Sequence, residues 1–226
     1  MRALLHWSRR AAVVLAAIVV LAVPAAAQTR PPLDFDDRPA VSLRPFFVFA
    51  GQQFTARQTF ETVFGSAFQP LWGGGLQVAF RGGFYIDFAA LRFKKTGERA
   101  FFFEGEGFPL GIPMTVTLTP FETTFGYRFA GPSRRLIPYF GGGLGTYAYR
   151  ERSDDVGEGE DPFEARELGY LVVGGLEARF GRWIAVTGDV QYTHVPNVIG
   201  AGGVSQQAEE SDLGGTAARV RVVIGR

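Results

Sequence analysis

The sequence contains no cysteine. A disulfide framework and a thiolate metal centre are therefore excluded, and the fold must hold through backbone pairing and packing alone. Histidine is almost as scarce: of two, only His194 lies beyond the N-terminal apolar segment that holds His6. Little is left for metal or acid–base chemistry. After residue 27 no apolar run approaches the roughly 20 residues a membrane helix needs, so any membrane span must be made of strands. An excess of charge of one sign is also missing, with 23 Lys and Arg against 22 Asp and Glu. Nothing in that balance serves binding to nucleic acid.

Residues 1–27 read as a secretory signal peptide. Arg2, Arg9 and Arg10 form the basic region, Ala11 to Val23 the apolar run, and Pro24 with Ala25, Ala26 and Ala27 the small-residue cleavage region. The apolar run is too short to serve as a lone membrane anchor. From 226 residues and a net charge of +1, removal of this segment and its three arginines leaves 199 residues and a charge of −2. That is one domain's worth of chain. Residues 28–40 (QTRPPLDFDDRPA) hold three prolines and three aspartates and read as a flexible periplasmic segment. Residues 41–226 form the folded domain.

What the chain has in abundance is glycine (30) and phenylalanine (22). Both concentrate in LWGGGLQVAFRGGFYIDFAALRFK, residues 71–94. Trp72, Gly74, Leu76, Val78 and Phe80 share one parity, continued past Gly82-Gly83 by Phe84, Ile86, Phe88 and Ala90. Gln77, Ala79, Tyr85, Asp87, Ala89 and Leu91 share the other. Alternation on both sides of a Gly-Gly predicts a β-hairpin. A soluble sandwich would bury the bulky row, whereas a membrane barrel turns it to lipid and encloses the small and polar row.

Similar alternation predicts strands over 41–54, 115–129, 138–150, 168–180, 183–194 and 216–226. Pro120 predicts a bulge, or a strand paired only after it, because proline cannot donate to a ladder. Long connections are predicted over 52–70, 94–113, 151–167 and 195–213, and they alternate with short turns. Aromatic residues flank those turns: Phe80 and Phe84, Tyr127 and Phe129 with Tyr139 and Phe140, Phe180 and Trp183. Eight strands, alternating long and short links and an aromatic girdle predict an all-β, eight-stranded antiparallel up-and-down transmembrane β-barrel.

The hairpin GGGLQVAFRGGFYIDF resembles the outer membrane protein beta-barrel family, the group of small OmpA-, OmpX- and OmpW-type barrels. So do IPYFGGGLGTYAY, VVGGLEARFGRWIAVTGDVQY and LGGTAARVRVVIG. The likeness covers most of Val41 to Arg226. One departure is the ending Ile224-Gly225-Arg226, where family members carry a terminal aromatic; against the resemblance, it implies an assembly signal that is internal or lineage-specific. The resemblance implies a monomer in the bacterial outer membrane. Its implied partners are outer-membrane lipid and lipopolysaccharide, the barrel-assembly machinery and periplasmic chaperones. No cofactor is implied.

The inward row is read as Arg44, Arg81, Asp87, Arg92, Glu122, Arg128, Glu177, Arg179, Asp189, Arg219 and Arg221. Enclosed charges must pair, so these residues predict a structural ion-pair network filling the lumen rather than a conducting path. A lipocalin-like binder needs large apolar side chains inside, whereas the inward row reads as small and charged. Residues 151–167 hold eight acids and two arginines without the spacing of a calcium loop, and read as a solvated display. Phe101, Phe102, Phe103 and Phe108 are a candidate loop interaction site, or else extend the strands on either side; the extension is the preferred reading. Some lipid A hydrolases among outer-membrane barrels pair His with Ser two residues on, but Pro196 follows His194 and Val195. The sequence therefore reads as a non-enzymatic barrel displaying four loops. Transport of small hydrophobic molecules in the manner of OmpW-type proteins is the alternative, and a lipid-modifying enzyme is disfavoured.

Overall fold

In the computed structural model the chain forms a closed barrel of eight antiparallel strands, each paired with its sequence neighbours and the eighth with the first. The structure describes residues 39–103, 106–129, 135–153, 163–181, 183–200 and 203–225. The predicted signal peptide and all of the 28–40 segment except Pro39 and Ala40 lie outside the described residues. The strands are β1 (Val41–Phe54), β2 (Phe68–Phe80), β3 (Phe84–Phe103), β4 (Glu106–Arg128), β5 (Leu136–Ser153), β6 (Phe163–Arg179), β7 (Ile184–His194) and β8 (Gly215–Ile224). Helix α1 (Arg57–Phe64) joins β1 to β2, and α2 (Gly203–Gln207) lies between β7 and β8.

The register fixes the barrel's proportions. Starting at Arg44 and stepping from partner to partner through Gln77, Asp87, Thr124, Gly143, Leu171, Thr193 and Gly215 returns to β1 at Phe54, ten residues along. Eight strands with that stagger tilt by roughly 40° and enclose a radius of about 8 Å, a lumen that side chains can fill. Tight curvature explains several inward glycines. A Cβ on Gly73 would lie 2.0 Å from the Ala90 carbonyl oxygen, and one on Gly143 2.0 Å from that of Thr123. Close strand approach leaves no room there for a side chain.

The outer surface carries the bulky row, as predicted. Phe47, Phe49, Trp72, Phe88, Phe125, Leu144, Val172, Val190 and Val220 are all exposed, most by about half of their surface. Nothing in water covers them, and a continuous apolar band of this kind is the signature of a lipid-facing wall. Phe80, Phe84, Phe129, Phe140, Phe180 and Trp183 ring the short-turn end.

The strands run further than the sequence pattern predicts at the loop end. β3 and β4 span 20 and 23 residues, roughly 50 and 58 Å at this tilt, against an apolar band about 25 Å tall. Most of the predicted 94–113 connection is therefore paired strand. Phe101 pairs with Phe108 and Phe103 with Glu106, so the phenylalanine run is strand extension rather than an open loop; Phe108 is exposed. The 151–167 connection shrinks likewise, because Glu151 pairs with Phe163; residues 154–162, most of the acidic stretch, lie outside the described residues. Pro120 carries no bulge. It faces Tyr147 in unbroken register with β5, and the β3 ladder resumes on both sides of it, at Ala90–Phe121 and Phe93–Leu118. The missing N–H interrupts one neighbour only, while the register shift lies between Glu98 and Ala100.

Candidate functional site

The lumen is the candidate site, and the structure divides it into a polar half toward the short turns and an apolar half toward the loops. In the polar half the inward parity brings Arg44 from β1, Arg128 from β4 and Arg179 from β6 onto one carboxylate, Glu177. Arg44 donates to Glu177 at 3.0 and 3.1 Å and to Gln77 at 2.6 Å. Arg128 donates to both Glu177 oxygens at 2.7 and 2.8 Å, and Arg179 Nε donates at 2.9 Å. The Glu177 side chain is 2 % exposed.

One layer further in, Arg219 Nε donates to Asp189 at 2.5 Å, and Arg221 Nε lies 3.2 Å from the other Asp189 oxygen. Arg221 also donates to Asp87 at 2.7 Å, to the Tyr139 hydroxyl at 2.8 Å and to Thr187 at 3.1 Å. Its guanidinium sits over the rings of Phe46 and Tyr139, at 5.2 and 5.3 Å. The Tyr139 hydroxyl in turn donates to Asp189 at 2.5 Å. Glu122 accepts from Tyr147 and Gln191, both at 2.9 Å, while Arg219 also donates to Gln191. The remaining Glu122 oxygen has only the Arg219 guanidinium at 3.6 Å. That is an ion-pair contact rather than a hydrogen bond.

Two predicted members are not in this network. Arg92 is exposed on the outer wall, because it shares parity with Phe88 and Ala90, while Leu91 and Phe93 point inward beside Asp87. Arg81 is exposed at the β2–β3 turn, where its amide bonds Ala40. Tyr139, expected in the aromatic girdle, is buried in the lumen instead, as is Tyr147, which the sequence does not single out. Their parity with Gly141, Gly143 and Gly145 was the available signal.

Side chains from neighbouring strands occupy the space that inward glycines clear. A Cβ on Gly126 would meet the Tyr85 ring at 2.5 Å, one on Gly141 the Tyr85 hydroxyl at 2.7 Å, and one on Gly75 the Phe46 ring at 2.5 Å.

The apolar half corrects the reading of a uniformly small and charged interior. Phe54, Leu71, Leu91, Phe93, Val116, Leu118, Tyr147 and Tyr149 are buried in one cluster with Phe60 and Val63 of α1 and with Val195, Ile199 and Leu213 of the β7–β8 connection. The Phe54 and Phe60 rings stack at 4.1 Å, and Phe93 meets Phe64 edge-on at 5.8 Å. Two connections that read as loops thus fold inward over the barrel mouth.

Their ends are tied chemically. Ala56, at the start of α1, offers no side-chain cap. Glu210, from the β7–β8 connection, instead accepts from the amides of Gln58 and Thr59 at 3.0 and 2.9 Å, a carboxylate on the positive end of the helix. At the other end Gly65 takes the left-handed conformation (φ 75°), and Lys95 donates to the Phe64 carbonyl at 3.2 Å. His194 bonds Asp212 at 2.7 Å. Asp212 also accepts from the amides of Val195 and Gly214 at 2.9 and 2.7 Å, so this pair anchors the base of the connection. Between α1, α2 and the extended strands remains a cavity of about 250 Å³, lined by Phe60, Val63, Met114, Val116, Ile199 and Val204.

Strand number, closure and an apolar outer band define a small eight-stranded transmembrane β-barrel. The chain is similar to Neisserial surface protein A at 10% identity and TM-score 0.45, covering 83% of this chain and 96% of that one. It is similar to Ail, the attachment invasion locus protein of Yersinia pestis, at 8% identity and TM-score 0.47, covering 83% and 97%. The N-terminal β-barrel domain of Pseudomonas aeruginosa OprF gives 12% identity and TM-score 0.42, covering 81% and 97%. No family model and no curated protein matches the sequence.

Proposed function

We propose that the protein is a monomeric bacterial outer-membrane barrel, exported by its N-terminal segment, with a closed lumen and a structural and interaction role carried by the loop end. What supports this reading is that the Glu177 and Asp189 ion-pair layers and the aromatic cluster that α1 packs into the mouth follow one another along the interior. A transport path would cross both. The strand extensions of β3 and β4 stand well above the apolar band and form the natural display surface. Planar-bilayer recording of the purified barrel at moderate salt tests the closed lumen. No steady conductance is expected, and a large stable channel from a verified monomer would overturn the reading.

A second reading, passage of small hydrophobic molecules, is favoured by the cavity at the mouth, whose lining mixes apolar side chains with Thr59, Arg99, Glu151 and Ser205. It predicts saturable quenching of the barrel's tryptophans by a brominated short-chain alkane in detergent. Filling the cavity with Val116→Trp should abolish that saturation.

A further inference from the structure

The outer wall from β2 to β6 bears two grooves, one above the other. The lower lies within the apolar band. Gly74, Ala90 and Thr123 keep its floor low between the larger Phe88, Phe121 and Leu144. The upper groove shares Phe121 with it and takes in the next outward position on four strands: Arg92, Thr119, Ala148 and Arg166. Thr115, Thr117 and Thr119 run along its length. Arg92 and Lys94 of β3 flank them on one side, and Arg150 and Arg152 of β5 with Arg166 of β6 on the other. Lys94, Thr117, Arg150 and Glu164 are successive cross-strand partners, so Lys94 and Arg150 stand two strand spacings apart, about 10 Å.

All five cationic side chains are exposed. Among the described residues one carboxylate stands among them, Glu164, paired with Arg150 at 2.6 Å; the next on the outward row of β3 is Glu98, two outward positions beyond Lys94. Among the described residues the opposite sector has no such cluster. On β7, β8 and β1 the outward residues at the loop end are His194, Thr216 and Gln53, and His194 is already engaged by Asp212. Like charges crowded on one sector repel one another, and an anion between them removes that cost. Solubility alone would be served by mixed signs spread round the barrel.

We infer that this sector is a binding site for a phosphorylated lipid of the outer leaflet. Its phosphates sit in the upper groove and its acyl chains lie along the lower one. Arginine guanidinium groups offer paired donors to phosphate oxygens, Lys94 adds a point charge, and the threonine hydroxyls can donate from the floor. The polarity boundary at Phe121 falls where a lipid changes from chain to headgroup. The inference rests on the outer-membrane reading above and adds to it the sector and the side chains that hold the lipid phosphates.

The mature chain is reconstituted in nanodiscs of phosphatidylcholine doped with bis-phosphorylated lipid A or with its dephosphorylated form, and retained lipids are counted by native mass spectrometry. The parent barrel should retain the phosphorylated form preferentially. The triple substitution Lys94→Gln, Arg150→Gln, Arg166→Gln should lower that retention by on the order of tenfold or more. The charge-conserving Arg150→Lys, Arg166→Lys variant should keep most of it. Equal retention of the two lipids, or retention unchanged in the triple variant, overturns the site. Heat-modifiable mobility and insertion into pure phosphatidylcholine bilayers are scored on the same samples. A chain that fails to insert refutes the outer-membrane reading; one that inserts but shows no phosphate preference refutes this inference alone.

Discussion

Glu177→Gln is the sharpest probe of the filled lumen. The carboxylate accepts hydrogen bonds from Arg44, Arg128 and Arg179 at 2.7 to 3.1 Å, in a position with 2 % of its side chain exposed. Glutamine keeps the shape and one carbonyl oxygen. It removes the charge and places an amide donor against guanidinium donors, leaving three cations at one level. Arg44 retains Gln77 at 2.6 Å, which relieves one of the three. Removing one partner of a buried pair costs about 3–5 kcal/mol, and because the three contacts share one carboxylate the costs do not simply add. The expected loss is therefore about 3–5 kcal/mol in all. Urea unfolding from lipid vesicles, followed through Trp72 and Trp183 on the outer wall, measures it. Arg128→Met in the Glu177→Gln background should cost less than it does alone, with a coupling of at least about 1 kcal/mol. A variant within about 0.5 kcal/mol of the parent would mean that water solvates these guanidiniums. The lumen would then be wet, and the closed-lumen argument would fail with it.

Three further outcomes follow from the same geometry. Ile86→Arg, on the outward row between Val78 and Phe125, should lose about 2–4 kcal/mol of folding free energy in bilayers. Asp87→Asn removes one Arg221 partner but leaves Arg221 with Asp189, Tyr139 and Thr187, so it should lose less, and the reverse order would mean the strand faces are inverted. Phe60→Ala should cost about 3–5 kcal/mol by emptying the centre of the mouth cluster; urea titration reads it directly, and a parent-like midpoint would show that α1 is not packed into the barrel. Glu210→Gln weakens the charge-assisted cap on α1 by about 1 kcal/mol. Hydrogen exchange should quicken at the Gln58 and Thr59 amides while β7 and β8 exchange at parent rates.

Period-two alternation, read with the alternating link lengths and the aromatic girdle, determined the strand number, the order, the facing and the closed barrel, because each side-chain direction along a strand follows from parity. Arg92 shows how strict that rule is: counted from Phe88 it belongs outside, and it is outside. The sequence could not supply the partners. Glu177 meets arginines from β1 and β4 only because a ten-residue stagger brings positions far apart in the chain to one height. Nor could local pattern distinguish a connection that stays in solvent from one that folds into the mouth. Phe60 and Val63 read as scattered apolar residues in a loop until Phe54 and Phe93 give them a surface to bury, and α1 has no cap of its own until Glu210 arrives from a connection 150 residues away. Strand facing is a local property of the backbone. Which charges pair, and which loop closes the lumen, depend on contacts between distant segments, and only the tertiary structure decides them.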